Sequence, residues 1–268
     1  MYSVEQKHID RAAEVAKRFE RISLKEMDSV QLMNRTDTKY AFNVEKLSLL
    51  FEDALPMYRI LEIENQVGQP YESTYFDTND FEMFRAHQCG RTTRFKIRRR
   101  EYMLTGTNFL EIKLKVKGRT EKSRIKKKIE DEHFDENTSS FVCGLTHLNP
   151  ANLEPKLKNS FLRFMLVNTE ATERITIDVD LSFSNDTQQV RLPFLCIVEV
   201  KQEGFSRSSA FIQLLKQHGI CEGSISKYCV GTVLLYPQLK HNRFKPKMLT
   251  LKKISNDSKY SQLFTSNN

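Results

Sequence analysis

The chain has 268 residues, of which 39% are hydrophobic and 28% charged, proportions that fit one large or two small folded domains and exclude a disordered chain. No apolar run approaches the roughly 20 residues needed to span a bilayer, and the N-terminal MYSVEQKHIDRAAEVAKRFERI has no apolar core of the signal-peptide kind, so no membrane segment and no leader are expected. The formal net charge of +8 points to acidic partners without choosing among nucleic acid, membrane and phosphorylated small molecules.

Residues 5–22 carry Ile9, Ala12, Ala13, Ala16, Phe19 and Ile22 near helical spacing, which predicts a packing helix. Asn34 to Phe42 (NRTDTKYAF) reads as a strand with Arg35, Asp37 and Lys39 on one face. Val44 to Leu55 has helical spacing and stops before Pro56. Tyr58 to Asn65 and Tyr71 to Asp77 read as strands split by Gly68-Gln69-Pro70, while Phe81 to His87, which carries Arg85, stays open between helix and strand.

Arg94 to Lys117 (RFKIRRREYMLTGTNFLEIKLKVK) predicts two strands joined at Thr105-Gly106-Thr107. Arg94, Lys96, Arg98, Arg100 and Tyr102 share one face, opposite Phe95 and Ile97; Glu111, Lys113, Lys115 and Lys117 share another, opposite Ile112, Leu114 and Val116. Gly118 to Lys122 reads as a polar turn, and Ser123 to Glu130 as a strand with Arg124, Lys126 and Lys128 on one face. Residues 131–160 are expected to be mostly helix and loop, followed by an apolar strand over Asn159 to Asn168 that contains Arg163. Arg174 to Leu181 (RITIDVDL) alternates, with Arg174, Thr176, Asp178 and Asp180 facing one way. Leu192 to Gln202 is a strand with Glu199 and Lys201 opposite Val198 and Val200. Ser206 to His218, N-capped by Ser206, and Ser226 to Tyr236 read as helices. From Leu239 onward the chain is basic and weakly periodic, which predicts a loosely packed tail. Three parts are expected: an N-terminal helix in residues 1–30, a main domain over 31–236, and the basic tail 237–268.

A row of like charges on neighbouring strands costs stability. Water, interleaved carboxylates or a polyanionic ligand can offset it. An ordinary antiparallel sheet shows a charged face to water, but usually with mixed signs, whereas these faces are dominated by Arg and Lys. A barrel with the charged faces inward makes sense around a polyanion and a divalent cation. Arg then offers bidentate contacts to phosphate, Lys a point charge, and a carboxylate a hard ligand for Mg²⁺ or Mn²⁺.

RTDTKY, YFDT, the R-x-K-I-R-x-R-x-Y strand, FLEIKLK, EKSRIK, RITIDVDL, IVEVK and SKY occur here in the order seen in VTC domains. Residues 31–236 therefore resemble the polyphosphate polymerase domains of the triphosphate tunnel metalloenzyme (CYTH-like) superfamily. The resemblance implies an α+β protein built on a closed eight-stranded antiparallel β-barrel, the triphosphate tunnel, with helices packed outside. It implies a transferase that moves the γ-phosphate of ATP onto a polyphosphate chain with Mn²⁺ or Mg²⁺. It assigns Arg98, Arg100, Lys113 and Arg174 to catalysis. Lys39, Arg85, Lys96, Lys122, Arg124, Arg163, Lys201 and Lys227 would bind phosphate, and Glu199 the metal. Two departures stand out: Arg35, Asp37 and Lys39 occupy the positions of the ExExK metal motif of many tunnel enzymes, and Ser224 stands where a further lysine is expected before SKY. Regulation by inositol phosphates and export through a membrane do not carry over.

Two readings compete on the same wall: a tunnel triphosphatase acting on inorganic or nucleoside triphosphate, and a non-catalytic polyphosphate-binding module. Nucleic acid is not an expected partner, because no Trp is present and the aromatics do not interleave with the basic strand. Five dispersed cysteines without a CxxC pair fit reduced thiols and a cytoplasmic location.

Overall fold

A computed structural model of the chain describes residues 3–29, 35–126, 134–170, 172–204 and 209–264. Lys128 of the predicted basic strand and the predicted cap Ser206 lie outside these residues. Helix α1 (Val4–Ala16) is capped by the Ser3 hydroxyl and is followed by strand β1 (Glu20–Ile22) and helix α2 (Leu24–Ser29). The helix predicted to run to Ile22 thus stops at Ala16, where the Arg21 guanidinium takes the carbonyls of Ala16, Lys17 and Phe19. Strand β2 (Arg35–Asn43) leads through one 3₁₀ turn into α3 (Leu47–Ala54). Then come β3 (Tyr58–Leu61), β4 (Gln69–Thr78), α4 (Glu82–Gln88), β5 (Arg94–Tyr102), β6 (Thr107–Val116) and β7 (Arg119–Lys126). Helix α5 (Glu136–Leu145), β8 (Leu153–Asn168), β9 (Glu173–Ser184), β10 (Gln189–Leu192) and β11 (Leu195–Glu203) follow. The chain continues through α6 (Ala210–Gln217), α7 (Lys227–Leu235), α8 (Lys245–Ser255) and α9 (Ser261–Phe264).

The strands form one 11-stranded sheet whose main path is β2-β11-β9-β8-β4-β5-β6-β7, every pairing along it antiparallel. The eight strands of that path match the expected number, but the described residues do not form a closed barrel. Among the described residues no ladder joins β7 to β2, and the sheet is a curled half-barrel. Part of the free edge of β2 is taken by the segment before α7, where the Gly223 N–H donates to the Lys39 carbonyl at 2.8 Å and Tyr40 bridges Glu222. A β7 strand carrying Lys122 and Arg124 beside Lys39 would also bring like charges together.

Local chemistry explains the other departures. The turn after β6 needs only Lys117 and Gly118, both at positive φ (45° and 91°), so Arg119 already belongs to the strand that was expected to start at Ser123. Strand β8 begins at Leu153 and runs 16 residues; Pro155 is tolerated beside a register shift opposite Phe76. In β9 the alternation breaks at Asp180 (φ 50°), where the register with β8 also shifts. Leu181 and Phe183 therefore leave the core shared by Ile175, Ile177 and Val179 and join a second one around α7. The basic tail is not loose: α8 buries Met248 and Leu251, and α9 buries Phe264.

The convex face is apolar and covered. Ile175, Ile177, Val179, Val198 and Val200 pack under Ile9, Ala12, Leu50, Phe51, Phe211 and Leu215 of α1, α3 and α6. Phe95, Ile97, Leu110 and Ile112 pack against Val142 of α5. Burying side chains of this size contributes roughly 1.5–3 kcal/mol each. On the concave side α7 lies against the sheet so closely that a Cβ on Gly231 would stand 2.6 Å from Phe183 and 2.8 Å from Leu157.

Candidate functional site

The concave face is a cationic trough, and ladder register explains why. In an antiparallel pair, residues opposite each other point to the same side. Register places Lys39 opposite Glu199, Lys201 opposite Arg174, and Arg163 opposite Asp178. On the other wing Tyr75 faces Arg98, Arg98 faces Glu111, Lys96 faces Lys113, Glu111 faces Arg124 and Lys113 faces Lys122. The period-two rows of the sequence thus converge from separate strands onto one surface.

Two carboxylates organise five of the trough's cations. Glu111 is 2% exposed and receives Arg98 at 2.7 Å, Lys122 at 2.7 Å and Arg100 at 3.6 Å. Burial opposes its charge, but Arg98, Arg100 and Lys122 outweigh that and hold its pKa at about 2. Asp178 receives Arg163 through two hydrogen bonds of 2.5 and 2.8 Å, and also the Lys227 ammonium. Burial again opposes, and Arg163 and Lys227 keep the carboxyl well below its usual range. Asp180 pairs instead with Arg191 at 2.7 Å. Aromatic rings support the same cations: Arg163 lies 5.0 Å from the Tyr71 ring, Lys227 4.4 Å from Phe161, and Arg124 4.7 Å from Phe109. Arg98 also donates to the Tyr75 hydroxyl at 3.1 Å.

A third group holds more cations than carboxylates. Lys39 binds Glu199, which also meets Lys201 at 3.1 Å. Burial brings the Lys39 pKa down to about 7; Asp37 opposes, while Lys113, Lys201 and Lys227 push further down. Lys113 is lowered by burial and then by Lys96 and Arg98, and it has no carboxylate at ion-pair distance among the described residues. Lys122 falls to about 8, chiefly through burial. Ser226 meets Lys96 of β5 at 2.9 Å while Lys227 beside it meets Asp178 of β9, so one helical turn spans the two wings across the trough.

Helix α7 brings its first turn to this surface. Ser226 caps it by accepting the Cys229 N–H at 3.2 Å, and its hydroxyl also accepts from the Lys96 ammonium at 2.9 Å. Of the residues assigned from sequence, the trough collects Lys39, Lys96, Arg98, Arg100, Lys113, Lys122, Arg124, Arg163, Arg174, Lys201, Lys227 and Glu199. Arg85 is not among them: it is exposed on α4 and pairs with Asp80 at 2.9 Å. Glu111, Asp178 and Ser226 belong to the site but were not assigned to it. Their signal was present in FLEIKLK, RITIDVDL and SKY, as polar residues in register with the cations.

The family model of the VTC domain matches residues 34–236. Among solved structures, a putative adenylyl cyclase from Hippeastrum, described as having a dominant triphosphatase activity, is 13% identical (TM-score 0.48, covering 78% of this chain and 100% of that one). Putative adenylate cyclases from Bacillus halodurans (15% identical, TM-score 0.46, 73% and 96% covered) and Vibrio parahaemolyticus (12%, 0.45, 74% and 97%) are similar as well. No curated protein matches. Among the described residues no helix is long and apolar enough to cross a membrane.

Proposed function

As the chain belongs to the VTC domain family, we propose that the trough binds ATP and polyphosphate and transfers the γ-phosphate of ATP to the end of the chain. The observation that carries this reading is the excess of cations over carboxylates around Lys39, Lys113 and Lys122: Lys39 and Lys201 share Glu199, Lys122 shares Glu111 with two arginines, and Lys113 has no carboxylate at ion-pair distance among the described residues, an excess that an added polyanion relieves. The acceptor is a terminal phosphate that is already deprotonated, so no general base is needed. Its oxygen attacks the γ-phosphorus, the bond to ADP breaks, and a new P–O–P link forms. Arg98, Arg100, Lys113 and Arg174 align the reacting groups and neutralise charge as the phosphoryl moves. Lys39, Lys96, Lys122, Arg124, Arg163, Lys201 and Lys227 hold the flanking phosphates.

The donor set fits a divalent ion only in a limited way. Among the described residues no three His, Cys, Asp or Glu side chains cluster. Glu199 is a half-buried carboxylate in the phosphate surface, and one carboxylate plus phosphate oxygens is an ordinary setting for Mg²⁺ or Mn²⁺. Glu199 would hold the ion, which would neutralise phosphate charge when bound.

Incubation of the purified protein with ATP and Mn²⁺ tests the reading: ADP should appear together with an acid-labile phosphate polymer. Free phosphate without polymer would favour hydrolysis of triphosphates, and binding without ADP a non-catalytic module. Glu199→Gln should abolish turnover and leave the fold intact; substantial remaining activity would remove Glu199 from the metal role.

A further inference from the structure

We propose that Asp77 is a positioning residue: its carboxylate holds Tyr228, and through it sets the first turn of α7 so that Ser226 and Lys227 face the trough. The inference rests on the phosphate-binding reading of that surface. Asp77 is fully buried near the end of β4. Its Oδ1 accepts the N–H groups of Thr78 at 2.8 Å and Met83 at 2.9 Å, and its Oδ2 accepts the Phe84 N–H at 3.0 Å and the Tyr228 hydroxyl. One side chain therefore caps the start of α4, whose own N-cap Phe81 provides no side-chain acceptor, and anchors α7.

The Tyr228 ring is confined as well. Its centroid lies 5.3 Å from Tyr75, 6.4 Å from Phe84 and 6.2 Å from His87. Successive helical residues are about 100° apart around the axis, so a fixed Tyr228 fixes the direction of Lys227 beside it. That direction carries the Lys227 ammonium to Asp178 and over Phe161, while Ser226 meets Lys96. A carboxylate that served only the cap of α4 would need its three backbone donors and no phenol. The fourth bond joins two sequence motifs, YFDT and SKY, that are 151 residues apart.

A double-mutant cycle tests the link. Tripolyphosphate affinity, read by calorimetry without added metal, is compared for the wild type, Tyr228→Phe, Lys227→Ala and the double variant, with thermal midpoints alongside. Tyr228→Phe keeps the ring and its packing, and should weaken binding by about tenfold, a coupling typical of hydrogen-bonded neighbours. The double variant should bind no more weakly than Lys227→Ala alone. Wild-type affinity in Tyr228→Phe, or losses that simply multiply in the double variant, would overturn the proposal. Asp77→Asn should reproduce the Tyr228→Phe loss; if it does not fold, the cycle on Tyr228 decides. Absence of binding by the wild type would instead remove the phosphate reading of the trough.

Discussion

Two groups of cations in the trough hold similar residues in opposite electrostatic states. On β8, β9 and α7, Arg163 and Lys227 share one buried carboxylate, Asp178, and lie over aromatic rings. Lys39 and Lys113, one on each wing, are pushed toward neutrality by burial first and then by neighbouring cations. The first arrangement is satisfied without a ligand and holds the wall together. The second is frustrated without one, and marks where an incoming polyanion gains most. The same residue type thus performs different tasks, and the environment separates them.

Asp178→Asn attacks the satisfied group and should have the largest effect on the fold. It removes the countercharge of two buried cations, and should cost about 3 kcal/mol in denaturant unfolding. A variant as stable as wild type would show that this group does not differ from the crowded one. Lys113→Met attacks the crowded group. Tripolyphosphate binding should weaken at least tenfold, the size of one charge-assisted hydrogen bond, while stability should stay level or rise, because a repelled cation is gone. Loss of stability without loss of binding would reverse the assignment.

The pH dependence sharpens the contrast less drastically. Lys39, with a pKa of about 7, and Lys122, with one of about 8, are charged below those values and lose charge as pH rises through them. Their part in anion binding is therefore greatest near pH 6 and declines toward pH 9. The ligand titrates in the same range, so the measurement is a comparison: Lys39→Arg, which stays charged, should hold its affinity where the wild type declines. Parallel curves for the two proteins would contradict a depressed Lys39. The smallest effect is expected at Arg85→Ala, outside both wings. An exposed ion pair contributes about 0.5 kcal/mol at most in such settings, so activity and stability should match wild type.

The alternation of Arg and Lys with apolar residues in β5, β6 and β7 made the charged and greasy faces legible in sequence, because a strand has only two sides. The order of eight motifs made the family legible as well. Several features were beyond that reach. Sequence could not show that Arg85 lies on a helix outside the trough, since Phe81 to His87 is too short for periodicity to choose helix or strand. Nor could it show that Asp180 leaves the face of Asp178, because one positive φ reverses an alternation that reads as unbroken. The helix in the basic tail was hidden for a related reason: only Met248, Leu251 and Ser255 of α8 are buried, too few to mark a period among lysines.

What the chain determined by itself was local: which side chains share a strand face, where turns interrupt, and how much positive charge must be accommodated. Tertiary structure decided which cations are neutralised and which are left crowded. Glu111, Asp178 and Glu199 are chemically alike in sequence, but Glu111 takes its partners from the adjoining hairpin strands, whereas Lys227 reaches Asp178 and Lys39 reaches Glu199 from distant parts of the chain. Charge state depends on burial and on neighbours within a few ångströms, and only the curl of the sheet sets those distances.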